Sequence, residues 1–289
     1  MKTALVLGGT RFFGKHLVQG LLERGVDVTI ATRGQTPDEF GDRVKRLIVD
    51  RESKESLAAA IGDARFDVVY DNICYSSNAA LAAVEVFSGK VGRYVFTSTL
   101  SVYPLAADAQ AEEVLDARQL TIRWGERDDF SYQEGKQQAE AVFFQKAPFP
   151  VVAPRFPVVL GLDDYTKRLH WHVDRVKEGL PIGLPVPESR QGFISSEEAG
   201  KFLVWCGEAA IEGPVNAAAS GTVTLREMVA MAEEAVGREA LIAVETAPEV
   251  RSPFGIPGSY HMDLTKAEQA GYQFSKLADW LPQLIRQLV

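Results

Sequence analysis

The stretch LGGTRFFG at residues 7–14 decides the fold. It follows the short apolar run TALVL at 3–7 and opens a segment, residues 12–24, with apolar residues at helical spacing. In a strand–turn–helix of this kind, glycines permit a tight turn and the first helical N–H groups face a pyrophosphate. The stretch predicts a dinucleotide-binding loop; a purely structural turn is the alternative.

Arg11 stands where the middle glycine of a G-x-x-G-x-x-G loop is expected, between Gly8 and Gly14. This departure is compatible with binding, because an outward-turned guanidinium can pair with a phosphate. The predicted cofactor contacts in the loop are Gly8, Thr10, Arg11, Phe12, Phe13 and Gly14.

The first half of the chain alternates apolar runs with helical patterns, which is typical of βαβ units. We therefore predict an α/β fold, a Rossmann-like doubly wound parallel sheet. The predicted strands are TALVL (3–7), VDVTIA (26–31), VKRLIV (44–49), FDVVY (66–70), RYVFTS (93–98) and PVVAPR (150–155). The predicted helices are 12–24, 53–61, 78–87 and 132–146.

Beyond Arg155 the pattern changes, and GLPIGLPVPESRQG at 179–192 is rich in Pro and Gly, which favours loops and short strands. We expect an NAD(P)-binding domain over 1–155 and a smaller C-terminal substrate lobe over 156–289, with segments near 190–210 returning to the first domain. A ligand is expected outside the carboxyl ends of the strands. The helices expected in this half are 196–208, 225–236, 264–270 and 278–288.

The composition argues against several classes of partner and binding site. The 289 residues carry a net charge of -8, which argues against broad nucleic-acid binding because that needs a basic face. The two cysteines, Cys74 and Cys206, lack metal-type spacing and fit a reducing cytoplasm. No metal site and no membrane span are predicted. The expected ligand is a small, sugar-like substrate. A homodimer is one possible oligomeric state.

Arg33 ends the second predicted strand, where NAD binders usually place an acid for the ribose hydroxyl. An arginine there suits a 2′-phosphate and favours NADP over NAD; a solvated loop arginine is the alternative. Asp50 ends the third strand, where it could meet the adenine or only cap a loop. Asn72 follows the fourth strand and is expected to line the cofactor groove.

Tyr132 and Lys136 lie at i and i+4 of a predicted helix, so their side chains share one face. An ammonium near a phenol lowers the pKa of the phenol. Such a tyrosine can exchange a proton with a substrate hydroxyl or carbonyl while hydride moves to or from a nicotinamide. The hydroxyl residues at 97–99 end the fifth strand and could hold the same substrate oxygen.

In this order, these segments resemble the short-chain dehydrogenase/reductase superfamily, most closely its extended type, the NAD-dependent epimerase/dehydratase family. TSTLSVYP (97–104) resembles S-S-x-x-V-Y-G, and YQEGKQQAE (132–140) resembles Y-x-x-S-K-x-x-x-E. RQGFISSEEAGKFL (190–203) and HMDLTKAEQAGY (261–272) are similar to later family segments. The resemblance implies catalytic Thr99, Tyr132 and Lys136, with Lys136 also holding the nicotinamide ribose.

Two departures separate the chain from typical members. GGTRFFG (8–14) replaces GGxGFIG and is closer to atypical members, including plastid stem-loop RNA-binding proteins. Val158 stands where sugar-nucleotide enzymes often carry asparagine. Arg155 and Arg251 are the candidates for meeting an anionic substrate, and family members place an arginine near Arg251 on a phosphate. Surface arginines are the alternative.

The sequence thus predicts an NAD(P)-dependent oxidoreductase, epimerase or dehydratase acting on a hydroxyl or keto group of a sugar-like substrate, which could be a nucleotide sugar. The alternative is a cofactor-binding protein of the atypical type that works as an RNA-binding or regulatory module. Thr99, Tyr132 and Lys136 favour the enzyme, and Arg11 in the loop favours the alternative.

Overall fold

A parallel sheet forms the centre of the molecule in the computed structural model, which describes residues 1–243, 247–256 and 258–289. The strands, in chain order, are β1 (Thr3–Leu7), β2 (Asp27–Thr32), β3 (Lys45–Ile48), β4 (Phe66–Asp71), β5 (Val91–Phe96), β6 (Ser98–Thr99), β7 (Val151–Phe156), β8 (Val158–Leu160), β9 (Pro181–Gly183), β10 (Arg190–Gln191), β11 (Phe193–Ser195), β12 (Gly213–Asn216), β13 (Val223–Thr224) and β14 (Leu241–Ala243). The helices are α1 (Phe13–Glu23), α2 (Lys54–Ile61), α3 (Ser77–Phe87), α4 (Tyr132–Lys146), α5 (Arg168–Glu178), α6 (Ser196–Glu208), α7 (Leu225–Val236), α8 (Thr265–Gln269) and α9 (Leu277–Gln287).

The large sheet has the order β3-β2-β1-β4-β5-β7-β12, with β6 alongside β7. Every pair in it is parallel, and its inner strands are buried on both faces. From β1 the chain runs outward to β2 and β3 and then returns to β4 on the other side of β1. This reversal opens a crevice between the ends of β1 and β4, where doubly wound sheets bind ligands.

Helices cover both faces of this sheet. One face packs against α1 and α6, whose buried residues join one apolar cluster. The other face packs against α2, α3 and α4. A third cluster lies in the second half of the chain and draws on α5, α7 and α9. Short two-stranded sheets, β8 with β11, β9 with β14 and β10 with β13, complete this half.

The predicted fold class is confirmed, and each predicted strand and helix appears with ends shifted by two residues at most. Several elements were not predicted, among them one strand of the large sheet and one helix. The edge strand β12 adds to the sheet beside β7, and α5 buries Leu169, Val173 and Val176 at helical spacing. In the described parts of the chain, no helix combines the length and apolar character needed to cross a bilayer.

Candidate active site

The turn between β1 and α1 is shaped by two glycines. Gly8 has φ +82, and a Cβ there would lie 2.8 Å from the Cγ2 of Ile73. A Cβ on Gly14 would lie 2.7 Å from the backbone oxygen of Gly8. A side chain fits at neither position without movement, so the backbone forms a close cradle beneath the start of α1. That geometry suits a phosphate facing helical N–H groups.

The residue that follows Arg11 has an unusual backbone conformation. Phe12, the N-cap of α1, has φ 51, a left-handed backbone that non-glycine residues adopt at a cost of about 1–3 kcal/mol. The Phe12 ring is buried and meets the ring of Tyr165 edge-on, with centroids 6.0 Å apart. The Arg11 guanidinium lies 5.9 Å from the centroid of the same tyrosine. Tyr165 therefore connects the loop to the segment that leads into α5.

A cleft of about 680 Å³ opens in front of this turn, and we call it the cofactor cleft. Asn72 ties its floor together, because the amide donates to the Gly8 carbonyl at 3.2 Å and accepts from the Thr97 hydroxyl at 2.7 Å. The predicted cofactor residues that line this cleft are Gly8, Thr10, Arg11, Phe12, Phe13, Gly14, Arg33, Asp50 and Asn72.

A second cleft of about 400 Å³ contains Thr99, Tyr132 and Lys136, and we call it the catalytic cleft. The two clefts form one groove, since they share five lining residues. The shared residues are Phe12, Phe13, Asn72, Tyr75 and Tyr165.

Helix α4 begins at Tyr132 because Ser131 and Glu134 form a capping box. The Ser131 hydroxyl accepts from the Glu134 N–H at 3.2 Å, and the Glu134 carboxylate accepts from the Ser131 N–H at 3.0 Å. This fixes Tyr132 in the first turn, with Lys136 one turn later. The side chain of Tyr132 is 56% exposed and that of Lys136 only 2%, so a substrate can reach the phenol directly.

The ammonium of Lys136 is anchored inside the fold. Its ammonium donates to the Thr97 carbonyl at 2.8 Å and lies 4.4 Å and 4.8 Å from the ring centroids of Tyr75 and Phe96. Burial lowers the pKa of Lys136 to about 8, although the neighbouring Cys74 and acidic groups oppose the shift. Carbonyl and aromatic faces therefore stabilise a cation that the interior otherwise disfavours.

The prediction that Lys136 lowers the pKa of Tyr132 is wrong for this arrangement. Although more than half of the residue is exposed, the cleft walls desolvate the phenolate and raise the pKa of Tyr132. The Thr99 hydroxyl and the positive charge of Arg168 oppose that rise. Arg168 begins α5 and lines the catalytic cleft, where the sequence had not placed it. At neutral pH the phenol carries its proton.

The two arginines predicted for substrate lie elsewhere. Arg155 is 0% exposed and donates to Glu140 at 3.0 Å, to the Tyr103 hydroxyl at 2.7 Å and to the Glu112 and Leu115 carbonyls. The prediction that Arg155 contacts the substrate is therefore wrong. Its N–H groups are hydrogen-bonded to buried partners, so its role is structural. Arg251 donates to the Gly255 carbonyl at 2.9 Å and lines neither cleft.

Tyr75 is the main site residue that sequence reasoning missed. Its ring centroid is 6.2 Å from that of Tyr132, and it lines both clefts. Gly135 of α4 signals this contact, because a Cβ there would lie 2.2 Å from the Tyr75 carbonyl oxygen. The glycine in YQEGK replaces the serine of the resembled motif. The missing side chain lets α4 approach the chain at Tyr75.

The family model for the NAD dependent epimerase/dehydratase family matches residues 4–185. Among curated proteins, the chloroplast stem-loop binding protein of 41 kDa b from Arabidopsis thaliana is 28% identical over 202 residues, which is 65% of this chain. The chain spans 50% of the length of that relative.

Solved structures share the whole fold. The UDP-glucose 4-epimerase of Thermus thermophilus, in complex with NAD, has a TM-score of 0.77 at 18% identity and covers 99% of this chain and 98% of that one. The UDP-glucuronic acid 4-epimerase of Bacillus cereus, in complex with UDP-glucuronic acid and NAD, has a TM-score of 0.76 at 19% identity, covering 99% and 100%. The family match spans more than half of the sequence, and the chain belongs to the NAD dependent epimerase/dehydratase family.

Proposed function

We propose that this protein is an NAD(P)-dependent enzyme acting on a hydroxyl or keto group of a sugar-like substrate, as an oxidoreductase, epimerase or dehydratase. One observation carries the proposal. Thr99, Tyr132 and Lys136 line a cleft that is continuous with the cleft at the glycine loop. A dinucleotide lying along this groove would reach from the start of α1 to the exposed phenol.

The residues of the first cleft fit such a cofactor. A Cβ at Gly8 would collide with Ile73 and one at Gly14 with the Gly8 backbone, so the chain can turn tightly into α1, whose first turn contains Gly14. Arg11 and Arg33 add positive charge. The nicotinamide, when bound, supplies hydride transfer.

Tyr132 is the proposed proton donor and acceptor. Its raised pKa keeps the phenol protonated at neutral pH, which suits donation to a substrate keto oxygen. In the reverse direction, the charge of Arg168 stabilises the phenolate that must form. Thr99 Oγ1 accepts from the Ser101 N–H at 3.1 Å, and its hydroxyl lies beside the Tyr132 phenol. The two hydroxyl groups are therefore placed to contact the same substrate oxygen. Lys136 is proposed to hold the strand end at Thr97 and the nicotinamide ribose.

The variant Tyr132→Phe tests this role, because it removes only the titrating oxygen. We expect turnover to fall by about 100-fold or more, in line with general acid–base catalysis, while cofactor affinity stays nearly unchanged. The substrate is first found by screening sugar nucleotides and simple keto compounds with each nicotinamide cofactor. Full activity of Tyr132→Phe on that substrate would exclude the mechanism.

A second function is favoured by one observation, the match to a plant stem-loop binding protein over 65% of this chain. In this reading the groove holds a cofactor while another surface binds RNA. The net charge of -8 weighs against it. Filter binding with stem-loop RNAs at two salt concentrations separates the two. Specific, salt-sensitive binding together with an absence of turnover would select the RNA-binding function.

A further inference from the structure

Arg127 lines the cofactor cleft from the side opposite the glycine loop. It belongs to a short 3-10 turn, Arg127–Asp129, that precedes α4. The glycine loop leads into α1, which covers one face of the sheet, whereas α3 and α4 cover the other. A ligand in this cleft therefore has the loop on one side and Arg127 on the other.

The turn that carries Arg127 is fixed to the start of α3. The Asp129 carboxylate accepts from the Glu126 N–H at 2.8 Å, and the Asn78 amide donates to the Glu126 carboxylate at 2.7 Å. The Gly125 N–H donates to the Ser77 hydroxyl at 3.0 Å, within a buried contact. These bonds hold the backbone beside Arg127 in one place, so the side chain leaves the turn from a defined position.

Tyr75 directs the Arg127 side chain. The guanidinium carbon lies 4.7 Å from the Tyr75 ring centroid, and the Lys136 ammonium lies 4.4 Å from the same ring. The close packing at Gly135 fixes the backbone of Tyr75 in turn. A cation stacked on a fixed ring loses less freedom when it binds an anion, because part of its ordering has already occurred.

The charge of Arg127 is available to a ligand. In the described part of the chain, its guanidinium forms no ion pair and no hydrogen bond, and the same holds for Arg11 and Arg33 in this cleft. Arg51 differs, since its Nε donates to Asp71 at 2.9 Å inside the fold. Three unpaired guanidinium groups thus face one cleft of an acidic protein.

We propose that Arg127 binds the pyrophosphate of the dinucleotide from the side opposite the glycine loop. This inference rests on the proposed cofactor site. The backbone N–H groups above Gly8 and Gly14 and the guanidinium of Arg127 then hold the two phosphates between them. Planar, charged donors suit this contact better than an ammonium does.

Arg127→Gln removes the charge, and Arg123→Gln is the matched control. Arg123 lies in the same loop, stacks on Phe130 at 4.4 Å and donates to the Asp129 carbonyl, but it lines neither cleft. Isothermal titration of wild type and both variants with NAD, NADP and ADP gives the dissociation constants. We expect Arg127→Gln to raise the dissociation constants of the preferred dinucleotide and of ADP alike by about 10-fold or more. At high salt the difference between wild type and Arg127→Gln should be smaller, because salt screens the charge. Arg123→Gln should leave both unchanged.

Each other result overturns the inference. Equal affinities for wild type and Arg127→Gln would do so while leaving the proposed function in place. The inference is also overturned if Arg123→Gln weakens binding as much as Arg127→Gln does. It is overturned as well if Arg127→Gln weakens binding of the dinucleotide but not of ADP. If wild type binds none of the three ligands, the proposed function and the inference fall together.

Discussion

At the residue scale, Lys136 combines a buried position with a charge. Its pKa of about 8 lies below the ordinary lysine value of 10.5, so between these values the unfolded chain binds more protons than the folded one. The unfolding free energy should therefore rise with pH across this window, and the cost of burying the ammonium, on the order of 3 kcal/mol, is fully present below pH 8.

Lys136→Met removes this titration while keeping the volume. We expect the unfolding free energy of wild type minus that of Lys136→Met to increase between pH 7 and about pH 10. Urea denaturation of both proteins at several pH values measures the difference, and comparison of the pair cancels the other groups that titrate there. A difference that is flat across this range would show that Lys136 is not destabilised by burial.

Arg33 decides the predicted cofactor preference. It lines the cofactor cleft without an ion-pair partner in the described residues, at the end of β2, where a 2′-phosphate would lie. A charge-assisted contact contributes about 1.5–3 kcal/mol, which corresponds to roughly 10- to 100-fold in affinity. Arg33→Ala should therefore erase most of a preference for NADP. Titrations with NAD and NADP check this, and tighter binding of NAD by wild type would reverse the assignment.

Individual site residues could be predicted where a motif fixes the spacing. Tyr132 and Lys136 share a face because helix periodicity is a local rule, whereas Thr99 is identified from the resemblance to the family's motif, and all three line one cleft. The partners of Lys136 and Arg155 depend on contacts between distant segments, so spacing alone could not give them. Arg155 lies one residue before the end of β7, where a ligand contact is expected from sequence, yet Glu140 of α4, the Tyr103 hydroxyl and two backbone carbonyls accept its hydrogen bonds.

At the element scale, α4 depends on a glycine that helix propensity would disfavour. Replacing glycine by alanine inside a helix ordinarily stabilises a protein by up to about 1 kcal/mol. At Gly135 the added Cβ would lie 2.2 Å from the Tyr75 carbonyl oxygen, and backbone at both sides would have to move. We expect Gly135→Ala to destabilise the fold by about 1–3 kcal/mol.

Gly20→Ala in α1 is the control for this substitution. Its Cβ would meet a Val204 methyl group at 3.2 Å, and a side chain can yield where a carbonyl cannot. Chemical denaturation of the two variants separates propensity from collision. Equal stability of Gly135→Ala and wild type would mean that α4 does not pack closely against the Tyr75 carbonyl. The position assigned to Tyr75 would then be wrong.

Two of the elements that sequence reasoning missed, β12 and α5, have physical explanations. β12 is only four residues, GPVN, with a proline and no alternation, so it lacks a strand signal of its own. It forms because β7 offers a free edge. Helix α5 does carry buried residues at helical spacing, and its periodicity could have been recognised despite the polar residues around it.

At the scale of the whole molecule, we propose that the boundary predicted at residue 155 does not separate two folding units. The apolar cluster under α1 takes close to half of its buried residues from positions beyond 155, and half of these lie in α6 and β12. Without them, the inner face of α1 with Leu17, Val18 and Leu21 would meet water, and β7 would become an open edge.

A fragment of residues 1–155 should therefore fail to fold cooperatively, even though it contains the complete glycine loop, Tyr132 and Lys136. Exposing apolar area costs about 25 cal/mol per Å². The free energy lost by uncovering the apolar cluster under α1 should therefore exceed the net stability of about 5–15 kcal/mol that usually keeps a domain folded. Near-ultraviolet circular dichroism, dye binding and urea unfolding of the fragment, beside the full chain, test this. A fragment with a cooperative transition and full cofactor affinity would show that residues 1–155 fold on their own. A disordered fragment would mean that the cofactor cleft forms only because α6 and β12, which follow residue 155 in the chain, pack against the sheet of the first half.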